Sequence, residues 1–202
     1  MSKVYEFTLK YKISEADGDL DAIADLLYAN GCDDALIGVG VAGRIALDFS
    51  REATSAEEAV FSAHHNVLSV IPDAMLIEAM PDYVGLTDIA EVVSVSRQQM
   101  RKLYETHSSF PAPVHEGSSS VWRLFEVLDW ILDNRDYQFD AATLEVARVN
   151  SQLNSADRAR SVTIKQSTTR YSRVLIKAED GSMKVSLSFT DSQSLASVAE
   201  AA

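Results

Sequence analysis

The sequence predicts an α+β protein, and three observations lead there. A strand, a helix, a hairpin, a helix and a strand follow one another in the first eighty residues. Two short helices meet at a tight turn soon after Tyr83, and two alternating apolar stretches flank an Asp-Gly pair near the C-terminus. The segments expected are an acidic domain at 1–82, a small domain of short helices at 83–135, and a helix, polar linker and β-hairpin at 136–202. With 202 residues, 47% of them hydrophobic, the chain has room for one or two domains and enough apolar mass for a core.

Val4-Tyr5-Glu6-Phe7-Thr8-Leu9-Lys10-Tyr11 is rich in β-branched and aromatic residues and reads as the first strand. Asp17 or Asp19 can cap the helix on which Leu20, Ile23, Ala24 and Leu27 recur, and Asn30-Gly31 ends it. Ala35-Leu36-Ile37 and the alternating Ile45, Leu47 and Phe49 form a hairpin around Gly38, Gly40 and Gly43. Those glycines have the G-x-G-x-x-G spacing of a dinucleotide site, which requires a helix to open at the third glycine and hold the pyrophosphate. A period of two follows Gly43 instead, so a strand is expected and no cofactor. Thr54 with Glu57, or Ser55 with Glu58, fits a capping box for a helix that faces inward with Ala56, Val60, Ala63 and Val67 and stops before Pro72. Met75-Leu76-Ile77-Glu78-Ala79 is the last strand. The order βαββαβ is that of a ferredoxin-like fold, with two helices over one face of an antiparallel sheet.

In the second segment Thr87 can cap a short helix through Val93. Ser94-Val95 turns, and Ser96 with Gln99 fits a further capping box. The helix that follows buries Met100, Leu103 and Tyr104 and leaves Arg97, Gln98, Gln99, Arg101 and Lys102 for solvent, with no acid in its first nine residues. Phe110-Pro111-Ala112-Pro113-Val114 must be extended, because each proline disfavours helix at the residue before it. His115 to Ser120 can turn the chain, and Val121-Trp122-Arg123 can return as the second strand of a small wing. A third helix then carries Leu124, Val127, Leu128 and Ile131 on one face, with Trp130 beside them.

The run "LTDIAEVVSVSRQQMRKL", followed by "FPAPV" and "VWRLFEVLDWI", resembles the winged helix-turn-helix of the MerR, AlpA and excisionase-like DNA-binding proteins over about a quarter of the chain. The resemblance implies that Ser96 to Lys102 lies in the major groove of DNA. Gly117 to Ser120 stands where a basic wing tip would be, a departure from that pattern.

In the last segment Asp140 to Leu153 reads as a helix using Leu144, Val146, Ala147, Val149 and Leu153, and Ser155 to Ser172 as a polar linker. Arg173–Lys177 and Lys184–Phe189 read as a hairpin turned by Asp180-Gly181, and the stretch from Asp191 as a frayed end.

The net charge of −12 is unevenly placed. Residues 1–82 carry 5 Lys/Arg against 15 Asp/Glu, residues 83–135 carry 5 against 7, and residues 136–202 carry 8 against 8. A DNA partner is therefore compatible with the second segment although the whole chain is acidic. Arg to guanine and Gln to adenine are the favourable bidentate pairs, and Arg97, Gln98, Gln99, Arg101 and Lys102 can supply such donors. Ser96, Thr87 and Arg123 suit phosphate positioning or capping. The basic residues Arg158, Arg160, Lys165, Arg170 and Arg173 fit a solvated linker better than a second contact.

Enzyme chemistry is not expected. His64 and His65 are adjacent on a helix and point apart, Cys32, His107 and His115 lack ligand spacing, and no nucleophile or phosphate-loop motif occurs. Neither a metal nor a cofactor is expected. The lone Cys32 permits no intrachain disulfide, and the absence of an apolar leader or spanning run points to a cytoplasmic protein with no membrane partner. The function expected is sequence-specific binding of double-stranded DNA by a bacterial transcriptional regulator. It would act as a homodimer, with residues 124–153 as the first choice of interface and the acidic sheet as the second. The alternatives are an antitoxin-like protein whose acidic domain binds a basic protein partner, and an excisionase-like factor that bends DNA.

Overall fold

The computed structural model describes residues 2–14, 20–38, 41–161, 169–177 and 183–191, with side chains placed at 2–14, 21–38 and 41–156. The described chain is α+β. The expected caps Asp17 and Asp19, Gly40, Lys165, the Asp180-Gly181 turn and the end beyond Asp191 lie outside the described residues.

The first eighty residues run β1 (Lys3–Lys12), α1 (Leu20–Ala29), β2 (Ala35–Gly38), β3 (Arg44–Ala53), α2 (Ala56–Val70) and β4 (Met75–Met80). The four strands form one antiparallel sheet in the order β2-β3-β1-β4. Side chains alternate across a strand, so Tyr5, Phe7, Leu9 and Tyr11 of β1 share a buried face with Ile45, Leu47 and Phe49 of β3, while Glu6, Lys12, Asp48 and Ser50 point the other way and are exposed. Phe7 stacks on Phe49 with ring centroids 5.1 Å apart. The strand expected after Gly43 is present as β3, so no helix opens where a pyrophosphate would sit. Of the two candidate caps for α2, Ser55 is the one used: its Oγ accepts from Glu58 N at 3.1 Å, and Glu58 in turn accepts from Thr54 N at 2.9 Å.

The turn after α1 needs its glycine. Gly31 has φ +86°, and a Cβ there would stand 2.5 Å from Asn66 Nδ2, whose N–H donates to the Gly31 carbonyl. The same carbonyl accepts from Arg51, which is almost fully buried and forks onto both Asp34 carboxylate oxygens at 2.7 and 2.8 Å. Cys32 beside it is buried, and burial pushes its thiol up to about 11, far from a reactive thiolate.

The next elements are β5 (Tyr83–Val84), α3 (Leu86–Val92), α4 (Arg97–Thr106), β6 (Trp122–Arg123) and α5 (Leu124–Asn134). Here two expectations are corrected. Helix α3 begins at Leu86 with Gly85 as its cap, so Thr87 lies inside the first turn; the Asp88 carboxylate takes the Gly85 N–H at 2.7 Å. Trp122–Arg123 pairs with Tyr83–Val84 rather than with Phe110–Val114, and the two arms of the expected wing are joined by a single bridge between His115 and Val121. Prolines 111 and 113 have no N–H to donate, so they cannot complete a ladder. The segment instead packs through Phe110, and Pro111 accepts the Trp122 indole N–H at 3.0 Å.

Helix α6 (Ala141–Ser161) is longer than expected and absorbs the start of the polar stretch; its first turn is closed by Asp140, whose carboxylate accepts from Ala142 N at 2.9 Å. Ala142, Val146, Val149 and Leu153 complete the hydrophobic cluster of the sheet, and Ala147, with Leu144 against it, belongs to the cluster of α3, α4 and α5. The apolar residues expected at a dimer interface in 124–153 are therefore used inside the chain: Val146, Val149 and Leu153 are 0, 5 and 7% exposed. Compact units span Met1–Arg158 and Ala159–Ala202. The second contains β7 (Thr169–Lys177) and β8 (Met183–Asp191), which pair antiparallel with Arg173 opposite Leu187, as the alternation in that region predicts.

Candidate nucleic-acid interface

Helix α4 is presented by a short turn. Val95 N donates back to Ala90 O at 2.9 Å, and Ser94 takes the left-handed region at φ 54°, which reverses the chain between α3 and α4. Ser96 then caps α4, its Oγ accepting from Gln99 N at 3.1 Å. Met100 and Leu103 are buried against α3 and α5, which fixes which side of α4 looks outward.

The outward side carries Arg97, Gln98, Gln99, Arg101 and Lys102, all exposed. They divide by what they already hold. Arg97, Gln98 and Lys102 enter none of the described side-chain hydrogen bonds or ion pairs. Gln99 does not close the expected capping box; its amide Nε2 donates to the Tyr137 hydroxyl at 2.9 Å. Arg101 donates through Nε to Glu105 at 2.7 Å, a contact that also holds its pKa above the ordinary arginine value. Both members of that pair are more than half exposed, so the contact is weak and exchangeable for another anion.

Arg97 and Arg101 sit on the side of α4 that faces a groove of about 400 Å³. Its other walls are the start of α3 at Gly85, Leu86 and Thr87, and the turn residues Ser118, Ser119 and Ser120. The structure thus brings Thr87, Arg97 and Arg101 together with three hydroxyls that sequence reasoning treated as a missing basic tip. Gln98, Gln99, Arg101 and Lys102 form a second, shallower surface with Ser96 and Glu105. Tyr104 links α4 to the turn by donating to Glu116 at 3.2 Å, and that hydrogen bond, with burial, raises its phenol above the ordinary value.

Arg123 is elsewhere. Its guanidinium donates to Asp82 at 2.9 Å, to Ser151 Oγ at 2.6 Å and to the Tyr83 hydroxyl at 3.0 Å, and lies over the Tyr83 ring. Asp82 is fully buried and also accepts from Asn154 at 2.8 Å. Asn154 exchanges two further hydrogen bonds with the backbone of Ala79, occupying the free edge of β4 as a neighbouring strand would. Arg123 therefore fixes the junction of β4, β5, β6 and α6, with both terminal guanidinium nitrogens engaged there rather than turned toward α4. Asp82, Ser151 and Asn154 were not singled out in the sequence. The available signal was the run of small polar residues Asn150, Ser151, Asn154 and Ser155, at spacings that put them on one side of the helix beside the apolar Val146, Val149 and Leu153.

Among the described residues no three His, Cys, Asp or Glu side chains gather as a metal site, and no helix is long and apolar enough to cross a membrane. No protein-family model, curated protein or solved structure matches the chain.

Proposed function

We propose that this chain is a sequence-specific double-stranded-DNA-binding protein, a bacterial transcriptional regulator in which a ferredoxin-like domain is joined to a winged helix-turn-helix of the MerR and AlpA kind. The observation that carries the reading is the outer side of α4, where Arg97, Gln98 and Lys102 are exposed and uncommitted on a helix whose opposite side is locked into a core. Such a helix fits the major groove, and Arg and Gln offer the paired donors that distinguish guanine and adenine. Arg97 and Arg101, with the serines of the turn, suit a phosphate at the groove edge, where Arg101 exchanges Glu105 for DNA. The 10 excess acidic charges of residues 1–82 repel the duplex, so one copy binds weakly and two copies on an inverted repeat bind usefully.

The test uses the full chain. A bound sequence is selected from random duplexes, and fluorescence anisotropy then compares it with a scrambled duplex over a salt series. Affinity should fall as salt rises, and Gln98→Ala or Arg97→Ala should cost about 1–3 kcal/mol on the selected site alone if the residue reads a base. Equal losses on both duplexes assign that residue to phosphate. Failure to select any sequence removes the function proposed.

A further inference from the structure

We propose that the uncovered face of the β2-β3-β1-β4 sheet is where two copies of this chain pair, stacked so that the strands of one run opposite to those of the other. This deepens the two-copy reading above by assigning its surface, and it starts from how charge is laid out along two strands.

Residues opposite one another in an antiparallel pair share a face. On the uncovered face the register sets Val4 against Glu52, Glu6 against Ser50 and Thr8 against Asp48 at one end, and Lys12 against Arg44 at the other. At the acidic end the carboxylates take hydroxyl donors, Thr8 to Asp48 at 2.6 Å and Ser2 to Glu52 at 2.8 Å, and the start of α6 at Asp140, Ala142 and Thr143 borders Val4 and Glu6. None of the described ion pairs includes Glu6, Asp48, Glu52, Lys12 or Arg44. The one pair on this face is Lys10 with Glu78 at 3.7 Å, near its middle. Among the described residues this face thus carries acids that meet no cation at one end and bases that meet no acid at the other, and it is complementary to itself in one orientation only.

That orientation follows from the register. Leu9 and Leu47 are opposite one another, with Glu6 three residues to one side of Leu9 and Lys12 three to the other. A two-fold axis lying between the faces, across the strands at this level, sets Lys12 of each copy over Glu6 of the other and Arg44 over the Ser50 to Glu52 stretch. An axis along the strands would set acid over acid. Beside Glu6 the face has a depression of about 490 Å³ walled by Thr8, Asp48, Ser50, Met80 and Pro81, a seat for an ammonium group from the opposing copy. Leu36 and Met75, 71 and 54% exposed and paired with Asp48 and Lys12, also lose their exposure. At sheet spacings the face covers on the order of 500 Å² per copy, at the low end for a specific interface, so the dimer is weak and sensitive to salt.

Sedimentation of the full chain over a concentration series tests this at ~0.1 M and ~1 M salt, between which the screening length falls from about 10 to about 3 Å. Wild type should dimerise, with a dissociation constant raised by roughly tenfold or more at the higher salt. The double variants Lys12→Glu/Arg44→Glu and Glu6→Lys/Asp48→Lys should each be monomeric, with unchanged circular dichroism, and an equimolar mixture of the two should dimerise. A dimer indifferent to either charge reversal, or a mixture that stays monomeric, overturns the surface and leaves the two-copy reading standing. A wild-type monomer at every concentration overturns both, and neither outcome bears on whether α4 binds DNA.

Discussion

Arg51 in the sheet region, residues 3–80, and Arg97 in the helical region, residues 83–134, are held in opposite ways. Arg51 sits under the sheet with every guanidinium nitrogen directed at Asp34, Ser62 or a backbone carbonyl. Arg97 stands on α4 with no protein partner among the described residues. Arg123 belongs to the second region by sequence but behaves like Arg51, because Asp82, Ser151 and Tyr83 surround it. A cation's availability is thus decided by which carboxylate the fold delivers to it. Asp34 is 17 residues from Arg51 and Asp82 is 41 from Arg123 in the chain, so local pattern cannot separate a committed arginine from a free one.

The sharpest way to break this comparison is to empty the committed side. Asp82→Ala leaves the Arg123 guanidinium without its buried counter-charge and should cost about 3–5 kcal/mol of stability, the usual consequence of removing one partner of a buried pair. Glu105→Ala beside the exposed Arg101 should cost under about 1 kcal/mol. Urea titrations of the two variants provide the measurement. Equal small losses would mean that Arg123 is no more committed than Arg101.

A second variant asks whether α6 belongs to the core of the sheet. Leu153 is 7% exposed within the sheet's cluster, and Leu153→Ala should cost about 2–5 kcal/mol with no change in oligomeric state. Dissociation of a dimer with little loss of stability would return 124–153 to the intersubunit role that the sequence suggested.

The two regions also differ in how much of them was legible. Strands β1 and β3 were readable because one face is buried and the other is not, which writes a period of two into Tyr5 to Tyr11 and Ile45 to Phe49. The Ser55 and Ser96 caps and the Gly31 stop were readable because their chemistry is local. The pairing of Trp122–Arg123 with Tyr83–Val84 was not, since two-residue strands carry no period and proximity favoured Phe110–Val114 as the partner. Nor was the destination of α6: a helix with apolar residues on several sides looks the same whether it meets a second copy or lies between two cores of its own chain. At the candidate interface, Arg97, Gln98 and Lys102 were visible as residues on a helix whose first nine positions, from Ser96, lack acid. The Tyr137 bond to Gln99 and the serines facing Arg97 come from packing across 38 residues or from an irregular turn, where no spacing rule operates.

The smallest expected effect concerns another place where α6 is tied down, at the surface. Glu145 accepts from Lys3 Nζ at 2.7 Å and from the Tyr5 hydroxyl at 3.0 Å, joining the first turns of α6 to the start of β1. The Lys3 hydrogen bond is the main reason its carboxyl lies below the ordinary value of 4.5; burial opposes the shift, and the Tyr5 bond and the Lys3 charge add to it. A carboxylate whose folded pKa is depressed binds fewer protons folded than unfolded, so its contribution is fully present above 4.5 and is lost as pH falls through the lower folded value. Lys3 and Glu145 are nearly half exposed, and solvent and salt screen the pair, so this attachment is weak beside the buried one at Asp82. Glu145→Gln removes the charge and keeps an acceptor in place. Urea midpoints of wild type and variant should therefore differ slightly at neutral pH and converge as the pH drops below 4.5. A gap that persists in acid would assign the contact to shape and hydrogen bonding alone.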